Sequence, residues 1–452
     1  MNFSGGRIGV VGLGISNRAL IKYLVAQGAQ ITACDRLTAA ELGPTYGELA
    51  SLGIDFRLGE DYLQGLTDFD LVFLTPGLPK NLPPIQNLLQ KGIPVSSEIE
   101  LFFSLCPAPI IGITGSSGKT TTTSLVGEFL AASGYSTYVG GNIGTPLIDR
   151  LEEITPEAKV VLELSSFQLE LMNVSPSIAV VTNVTPNHLD VHPDMASYIE
   201  AKENIYRWQE GENLAIFNED NEITRQMATW APGRICTFSR QRNLECGAWL
   251  AEGDLMLCTG SIDDMICNQG ELKLLGLHNV ENVLAASLAA AEAGATLEAI
   301  RQVCRSFTGV AHRLEPVGTI DGVRYYNDSI ATSPARAIAG LRSFRDPVIL
   351  IAGGYDKQLP FEELAQEIVD RVKVLILLGD TAEKIAAAVN QHHHQVQIIT
   401  VADLSEAVEA AHRSAQPGDV VLLSPACASY DMFRNFSERG DLFRDLVRQL
   451  EV

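Results

Sequence analysis

Short apolar runs alternate with helical spacings in three successive stretches of the chain. Near the start, Arg7–Gly12 and Gln30–Asp35 read as buried strands flanking a helix over Asn17–Gln27, and Leu71–Thr75 reads as a later strand. Apolar runs of that length separated by helical segments predict βαβ units, hence a parallel sheet covered by helices on both faces. A connecting helix over Glu98–Leu105 follows, and Pro107 and Pro109 then punctuate the chain. The rhythm restarts with strand Ile110–Thr114, helix Thr120–Ser133, and strands Lys159–Leu164, Ile178–Asn183 and Leu214–Asn218. Residues 234–275 are more polar and predict small strands; an Ala-rich helix, Asn279–Ala293, then runs to a glycine stop at Gly294. From Gly322 a third series appears: strands Val323–Asn327, Val348–Ala352, Val374–Leu378, Gln397–Val401 and Val420–Ser424, alternating with helical stretches. No fixed-period repeat is visible. The pattern predicts three α/β domains, over residues 1–98, 99–311 and 312–452.

Composition narrows the class. Of 452 residues, 46% are hydrophobic and 19% charged, as in a globular protein. The formal charge of -22, from 33 Lys+Arg against 55 Asp+Glu, argues against a nucleic-acid or anionic-membrane partner. No apolar run approaches the ~20 residues needed to span a bilayer, and the first residues lack a signal-peptide layout, so a cytoplasmic location is expected. The eight cysteines are scattered without a C-x-x-C pair, which predicts reduced, mostly buried thiols rather than disulfides or a zinc site. The run His392-His393-His394 reads as a polar loop, with no acidic or cysteine partner near it in sequence.

Two glycine-rich turns carry the candidate chemistry. Thr114-Gly115-Ser116-Ser117-Gly118-Lys119-Thr120-Thr121 follows an apolar strand and opens a helix. Its spacing is tighter than G-x-x-x-x-G-K-[ST], because Ile113 stands where the first glycine belongs. The physics is shared: glycines let backbone N–H groups face phosphate oxygens, the helix N-terminus favours an anion, Lys119 adds charge, and the Thr120 hydroxyl suits Mg²⁺. ATP is the expected ligand. The other turn, Gly12-Leu13-Gly14-Ile15-Ser16-Asn17, with Asp35 ending the next strand, nearly spells a dinucleotide fingerprint. Asn17 replaces the third glycine, so a nucleotide or nucleotide-sugar site, a redox NAD site and a structural turn all stay open.

The wider set of motifs is more specific. It comprises Gly140-Gly141-Asn142-Ile143-Gly144, Leu162-Glu163-Leu164-Ser165-Ser166-Phe167-Gln168-Leu169, Asn183-Val184-Thr185-Pro186-Asn187-His188-Leu189-Asp190, His278-Asn279-Val280-Glu281-Asn282, His312-Arg313, Tyr326-Asn327-Asp328-Ser329, and the run Ser424–Phe436. In this order they resemble the Mur ligases along essentially the whole chain, with a Rossmann-like N-terminal domain, a central P-loop ATPase-type domain and a C-terminal Rossmann-like domain. The phosphate loop alone would equally fit the related folylpolyglutamate synthetases. The Leu162–Leu169 and Ser424–Ser429 blocks resemble the members that add D-glutamate to UDP-N-acetylmuramoyl-L-alanine in peptidoglycan synthesis. A sister ligase adding another amino acid is the nearest alternative, and an NAD-dependent oxidoreductase the one from another reaction class.

The resemblance implies an ATP- and Mg²⁺-dependent amide ligase acting through an acyl phosphate, as a monomer, with Lys119, Glu163, His188 and Lys202 catalytic. Thr120, Glu163, His188 and a carbamylated Lys202 would hold Mg²⁺. Helical spacing alone would make Lys202 a solvated surface lysine, Glu163 could instead be a helix cap, and His188 a structural histidine. Gly115–Thr121, Asn279, Asn282, Arg313 and Asp328 would bind ATP; Gly14, Ile15, Ser16, Asp35, Arg36, Thr75 and Gly77 the uridine diphosphate; and Asn142 the phosphates or substrate. Thr332, Lys357, Ser429, Tyr430 and Phe436 would form the D-glutamate pocket. Two departures stand out. Ile330 occupies a position where some relatives carry lysine, and Asn187 one often held by aspartate before the histidine. Closure about hinges near 98–108 and 309–313 is also expected.

Overall fold

The computed structural model describes residues 3–186, 192–274, 276–357, 359–392 and 396–450. It divides into two compact units, the first made of residues 1–272 and 277–306, the second of residues 273–276 and 307–452.

The first unit holds two sheets. One contains β1 (Arg7–Val11), β2 (Gln30–Asp35), β3 (Asp55–Leu58), β4 (Leu71–Leu74) and β5 (Val95–Ser96), all parallel, in the order β3-β2-β1-β4-β5. Strand neighbours therefore reverse direction of travel between β1 and β4, which opens a crevice at the carboxyl ends of that pair. Ile8 and Val10 pack into one apolar cluster while Val11, Val72 and Leu74 pack into another, so both faces are covered.

The second sheet contains β6 (Ile110–Thr114), β7 (Thr137–Gly141), β8 (Lys159–Glu163), β9 (Ile178–Val181), β10 (Leu214–Asn218), β11 (Arg234–Ser239), β12 (Gly247–Ala251), β13 (Asp254–Cys258) and β14 (Asp263–Asn268). Its order is β14-β13-β12-β11-β10-β9-β6-β8-β7, so β6 lies between β9 and β8. β6 to β11 are parallel to their neighbours and β12 is parallel to β11; β13 and β14 then extend the edge antiparallel, as the small strands expected over 234–275. The Ala-rich helix runs Leu277–Glu292 and Gly294, at φ +101°, follows its end.

The second unit is built on β15 (Glu315–Ile320), β16 (Val323–Asn327), β17 (Val348–Gly353), β18 (Val372–Leu378), β19 (Gln397–Thr400) and β20 (Val420–Leu423), ordered β15-β16-β20-β17-β18-β19. Only β15 is antiparallel to its neighbour. Along β17, Ile349 and Ile351 enter one core while Leu350 and Ala352 enter the other, the period-two signature of a strand buried on both faces. The return of β20 between β16 and β17 brings the segments after β16, β17 and β20 to one sheet edge.

Candidate active site

In the first unit the tight glycine turn leaves β6 between the ends of β8 and β9. Gly115 has φ +154°, and a Cβ there would collide with Thr182 Oγ1; Gly118 has φ +80°, and its Cβ would collide with Asn282 Oδ1. Both positions therefore require glycine for shape as well as for conformation. Gly118 precedes the helix Lys119–Ala132, whose N-terminus and orphan N–H groups make an anion-favouring end. Asn183, after β9, holds the turn: its carbonyl accepts from Ser116 N–H at 2.8 Å and its Oδ1 from Ser117 N–H at 3.0 Å. Thr182 Oγ1 adds a bond to Ser117 O at 2.7 Å.

Glu163, the last residue of β8, is 2% exposed. Its Oε2 accepts from the Thr120 hydroxyl at 2.7 Å and its Oε1 from Asn142 Nδ2 at 2.9 Å. Asn142 is fixed in turn by its own N–H, bonded to Glu163 O at 2.8 Å. The fold has thus joined three predicted residues, two of them 43 positions apart in sequence, into one oxygen-rich cluster.

Lys119 Nζ donates to Gly115 O at 2.9 Å. The same carbonyl accepts from Lys202 Nζ at 3.0 Å, and Lys202 also reaches Thr114 Oγ1 at 3.4 Å. Lys202 projects from the helix Met195–Arg207 and is only 1% exposed, so the surface reading of its spacing fails. The exposed side of that helix carries Glu200 and Arg207, while Tyr198, Lys202 and Ile205 face inward. Burial drives the Lys202 amine well below the usual lysine range, the neighbouring Lys119 charge adds to the shift, and Glu163 opposes it. The Tyr198 ring lies under the Lys202 ammonium at 4.6 Å, and its hydroxyl meets Ser116 Oγ at 3.0 Å. His192 stacks on Phe167 and approaches Ser166 Oγ at 2.9 Å. His188 and Asn187 lie outside the described residues, as do His393 and His394 of the histidine run.

Asn282, on the helix Leu277–Glu292, meets the turn through Thr122 Oγ1 at 3.5 Å and donates to Asn279 Oδ1 at 2.9 Å. Both predicted asparagines therefore sit beside the helix that follows the glycine turn.

The crevice between β1 and β4 gathers the other predicted nucleotide residues. Gly14 and Ser16 start the helix Ile15–Ala26, Ile15 is 64% exposed, and Thr75 and Gly77 follow β4. Gly12 has φ +86°, and a Cβ there would press on Thr75 Cγ2 at 2.7 Å. Asp35 takes the N–H of Leu13 at 2.7 Å and of Leu37 at 2.9 Å, while Arg36 beside it is exposed. Asn17 is buried and donates to the carbonyls of Val11 at 3.0 Å and Gly12 at 2.8 Å. The residue that breaks the fingerprint is thus a structural tie.

In the second unit Lys357 Nζ donates to Thr332 O at 3.3 Å, and burial, with the Arg336 charge second, lowers its pKa. Tyr430 is 67% exposed and packs edge-on against Tyr355 at 6.0 Å. Ser429 is buried, its carbonyl accepting from Phe433 N–H at 2.7 Å; Phe436 contacts the His312 ring at 6.0 Å. Asp328 points inward: it accepts from Ser424 Oγ at 2.8 Å and Leu314 N–H at 3.3 Å, and burial pushes its carboxyl up to about 7 against those hydrogen bonds. Arg313, next in chain to His312, lies in the connection between the helix Leu297–Ser306 and β15. Arg439 is a buried guanidinium the motifs did not flag. It binds Ser329 O at 2.9 Å, Ser329 Oγ at 3.0 Å and the carbonyls of Cys427 and Ala428, stapling the segments after β16 and β20.

Asn183, Thr182, Tyr198 and Arg439 are the site-forming residues that residue-type reasoning passed over. Asn183 stood inside a quoted motif; the others carried no local signal. No described helix is long and apolar enough to cross a membrane, and no described group of three His, Cys, Asp or Glu side chains could by itself hold a metal ion.

Three family descriptions match successive parts of the chain: a MurD-like N-terminal domain of Mur ligases over residues 6–97, the Mur ligase middle domain over 113–290, and the Mur ligase glutamate ligase domain over 312–427. Among curated relatives, the UDP-N-acetylmuramoylalanine–D-glutamate ligase of Symbiobacterium thermophilum is 52% identical, covering 98% of both chains. Enzymes of the same name are 48% identical in Acetivibrio thermocellus, over 99% of this chain and 97% of that one, and 47% in Clostridium kluyveri, over 98% and 97%. Solved structures share the fold: UDP-N-acetylmuramate-alanine ligase of Thermotoga maritima has a TM-score of 0.59 at 20% identity, covering 98% of this chain and 99% of that one. MurF of Acinetobacter baumannii has 0.58 at 19%, covering 94% and 86%. Sharing about half its residues with such enzymes from end to end, and carrying a lysine, a hydroxyl and a carboxylate at one anion-favouring turn, the chain belongs to the Mur ligase family of ATP-dependent, amide-forming ligases.

Proposed function

We propose that the chain joins D-glutamate to UDP-N-acetylmuramoyl-L-alanine at the expense of ATP, a step of peptidoglycan precursor synthesis. The full-length 52% identity to an enzyme of that name carries the substrate reading. The chemistry follows from the problem that a carboxylate is a poor electrophile. Its oxygen attacks the γ-phosphorus and ADP leaves; the glutamate amine then attacks the acyl carbon, and phosphate leaves as the amide forms. Two anions must meet in the first step, so charge neutralisation and positioning dominate.

The residues at the tight turn suit that demand. Lys119, which rests on Gly115 O, would take the γ-phosphate oxygens. Mg²⁺ fits the donors present: the Thr120 hydroxyl and Glu163 carboxylate are hard oxygens 2.7 Å apart, and His188 would join them. Bound there, the cation would neutralise phosphate oxygens that otherwise repel the incoming carboxylate. Asn142 orients Glu163 and so acts on the cluster's geometry.

Lys202 is proposed to be carbamylated. A buried amine held below its usual pKa is uncharged more of the time and is then a nucleophile. Its lone pair adds to CO₂, an N–C bond forms and one proton is released, turning a cation that repels Lys119 into an anion that attracts it. Unmodified amine at Lys202 in active, magnesium-loaded protein, read by mass mapping, would overturn this. The crevice residues Gly14, Ile15, Ser16, Asp35, Arg36, Thr75 and Gly77 are proposed for the uridine diphosphate; Asn279, Asn282, Arg313 and Asp328 for ATP; and Thr332, Lys357, Ser429, Tyr430 and Phe436 for D-glutamate. The deciding assay is phosphate release from ATP with UDP-N-acetylmuramoyl-L-alanine, each amino acid offered in turn. Release with D-glutamate alone is expected; release that ignores it and follows another amino acid sinks the specificity.

A further inference from the structure

Five of the eight cysteines fall in the extension of the central sheet and its covering helix, and folding sorts them into two groups. Cys267 of β14 and Cys304 of the helix Leu297–Ser306 hydrogen-bond each other but are both buried, out of reach of solutes. Cys236 lies on β11, Cys246 immediately precedes β12, and Cys258 ends β13. The parallel register Phe238↔Ala248, followed back two residues, sets Cys236 beside Cys246. The antiparallel register pairs Gly247 with Cys258.

Regular alternation would aim Cys246 and Cys258 at opposite faces of the sheet. Gly247 breaks it: its φ is +116°, and a Cβ there would collide with Thr237 O. The result is that Cys246 Sγ donates to the backbone carbonyl of Cys258 at 3.2 Å, which brings the two cysteines together on one side of the strand pair. Cys246 is exposed and Cys258 half-buried. A metal reading is disfavoured, since no described group of three such side chains could hold an ion.

We propose that Cys246 and Cys258 form an oxidisable dithiol for small peroxides, with Cys246 meeting the oxidant and Cys258 resolving the product. The Cys246 thiolate attacks a peroxide oxygen, the O–O bond breaks, and an alkoxide or hydroxide leaves, giving a sulfenic acid. The Cys258 thiolate then attacks that sulfur; the S–S bond forms and hydroxide departs as water. Two thiols and one peroxide thus become a disulfide, one water and an alcohol, the alcohol being a second water when the oxidant is hydrogen peroxide. The approach of Cys246 Sγ to the Cys258 backbone makes the second step intramolecular. Burial, and next the neighbouring Cys246, raise the Cys258 thiol. Cys236, pushed up to about 11 by burial and by the Glu292 carboxylate, is the poorer resolving group. The pair guards Cys246, because a sulfenic acid without a resolving thiol proceeds irreversibly to the sulfinic acid. β12 stands four strands from β6 in the sheet, about 19 Å at ~4.8 Å per strand, so the pair can be altered without touching the phosphate turn.

The test treats the full-length protein and its Cys258→Ser variant with hydrogen peroxide, then maps peptides by mass. Matching phosphate-release rates before oxidation certify that the variant is folded. Expected for the parent is a Cys246–Cys258 linked peptide, lighter by two hydrogens and restored by dithiothreitol. Expected for the variant is Cys246 carrying two added oxygens. The proposal fails if Cys246 gains oxygens alike in both proteins, if Cys246 links to Cys236 instead, or if Cys246 is left unoxidised.

Discussion

The turns after β1 and β6 share one plan: a buried parallel strand, a glycine at positive φ, and a helix that begins at once. They differ in what surrounds them. Around Gly115–Lys119 stand two lysines that share the Gly115 carbonyl and a carboxylate bonded to a hydroxyl, mostly buried. Around Gly12–Ser16 the polar groups serve the backbone, Asp35 holding Leu13 and Leu37 and Asn17 holding Val11 and Gly12, while Ile15 and Arg36 are open to solvent. A shared strand-turn-helix plan therefore presents an anion-favouring helix end at each turn. Whether bonds to phosphorus are made and broken there depends on charges brought in from other strands.

The sharpest way to break this contrast is Lys119→Ala. Loss of a preorganised charge at the transferring phosphoryl group is expected to lower kcat by about a thousand-fold. Phosphate release reads it, and a loss below tenfold would place the chemistry elsewhere. Next comes Lys202 in protein stripped of bicarbonate. Its native pKa is lowered, so between that value and the unfolded value of ~10.4 the unfolded chain holds the extra proton and stability rises with pH. The slope approaches about 1.4 kcal/mol per pH unit for one proton. Urea midpoints of the parent and of Lys202→Met should diverge across that window; parallel curves contradict the assignment.

At the first turn, Asn17→Gly restores the dinucleotide spacing but removes two buried hydrogen bonds. It should cost about 2 kcal/mol in urea unfolding and confer no NAD affinity, measured by dinucleotide fluorescence. The smallest effect is expected from Asp35→Asn. A several-fold rise in KM for the uridine substrate with kcat nearly unchanged, roughly 1 kcal/mol of binding, fits a residue that shapes a turn. A fall in kcat instead would erase the distinction between the turns.

The strands that were legible in sequence are those buried on both faces. Gln30–Asp35, Ile110–Thr114, Leu214–Asn218 and Val323–Asn327 run end to end as their apolar patterns indicate. β15 was not visible, because an edge strand holding Pro316 and Gly318 and paired on one side reads as a loop. β7 likewise is partly exposed and ends in two glycines. In the site, the glycine turn announced itself because its backbone needs are local. The pairing of Thr120 with Glu163 was expected from the family resemblance, whereas the bond from Asn142 was not, since strand order alone sets β8 beside β6. Lys202 looked like a surface residue because helical spacing names a face and leaves open what covers it. The cysteines were judged mostly buried and scattered, yet Cys246 is exposed and register brings it to Cys258, a proximity no spacing rule encodes.

One carbonyl oxygen, that of Gly115, accepts from both Lys119 and Lys202. A departing lysine usually strands its acceptor, and a buried carbonyl left bare resists the move. Here the Lys202 nitrogen stays behind as a substitute donor to the same oxygen. Double occupancy of a single acceptor thus acts like a spring latch: Lys119 is held, yet its release toward an arriving anion is nearly free of penalty.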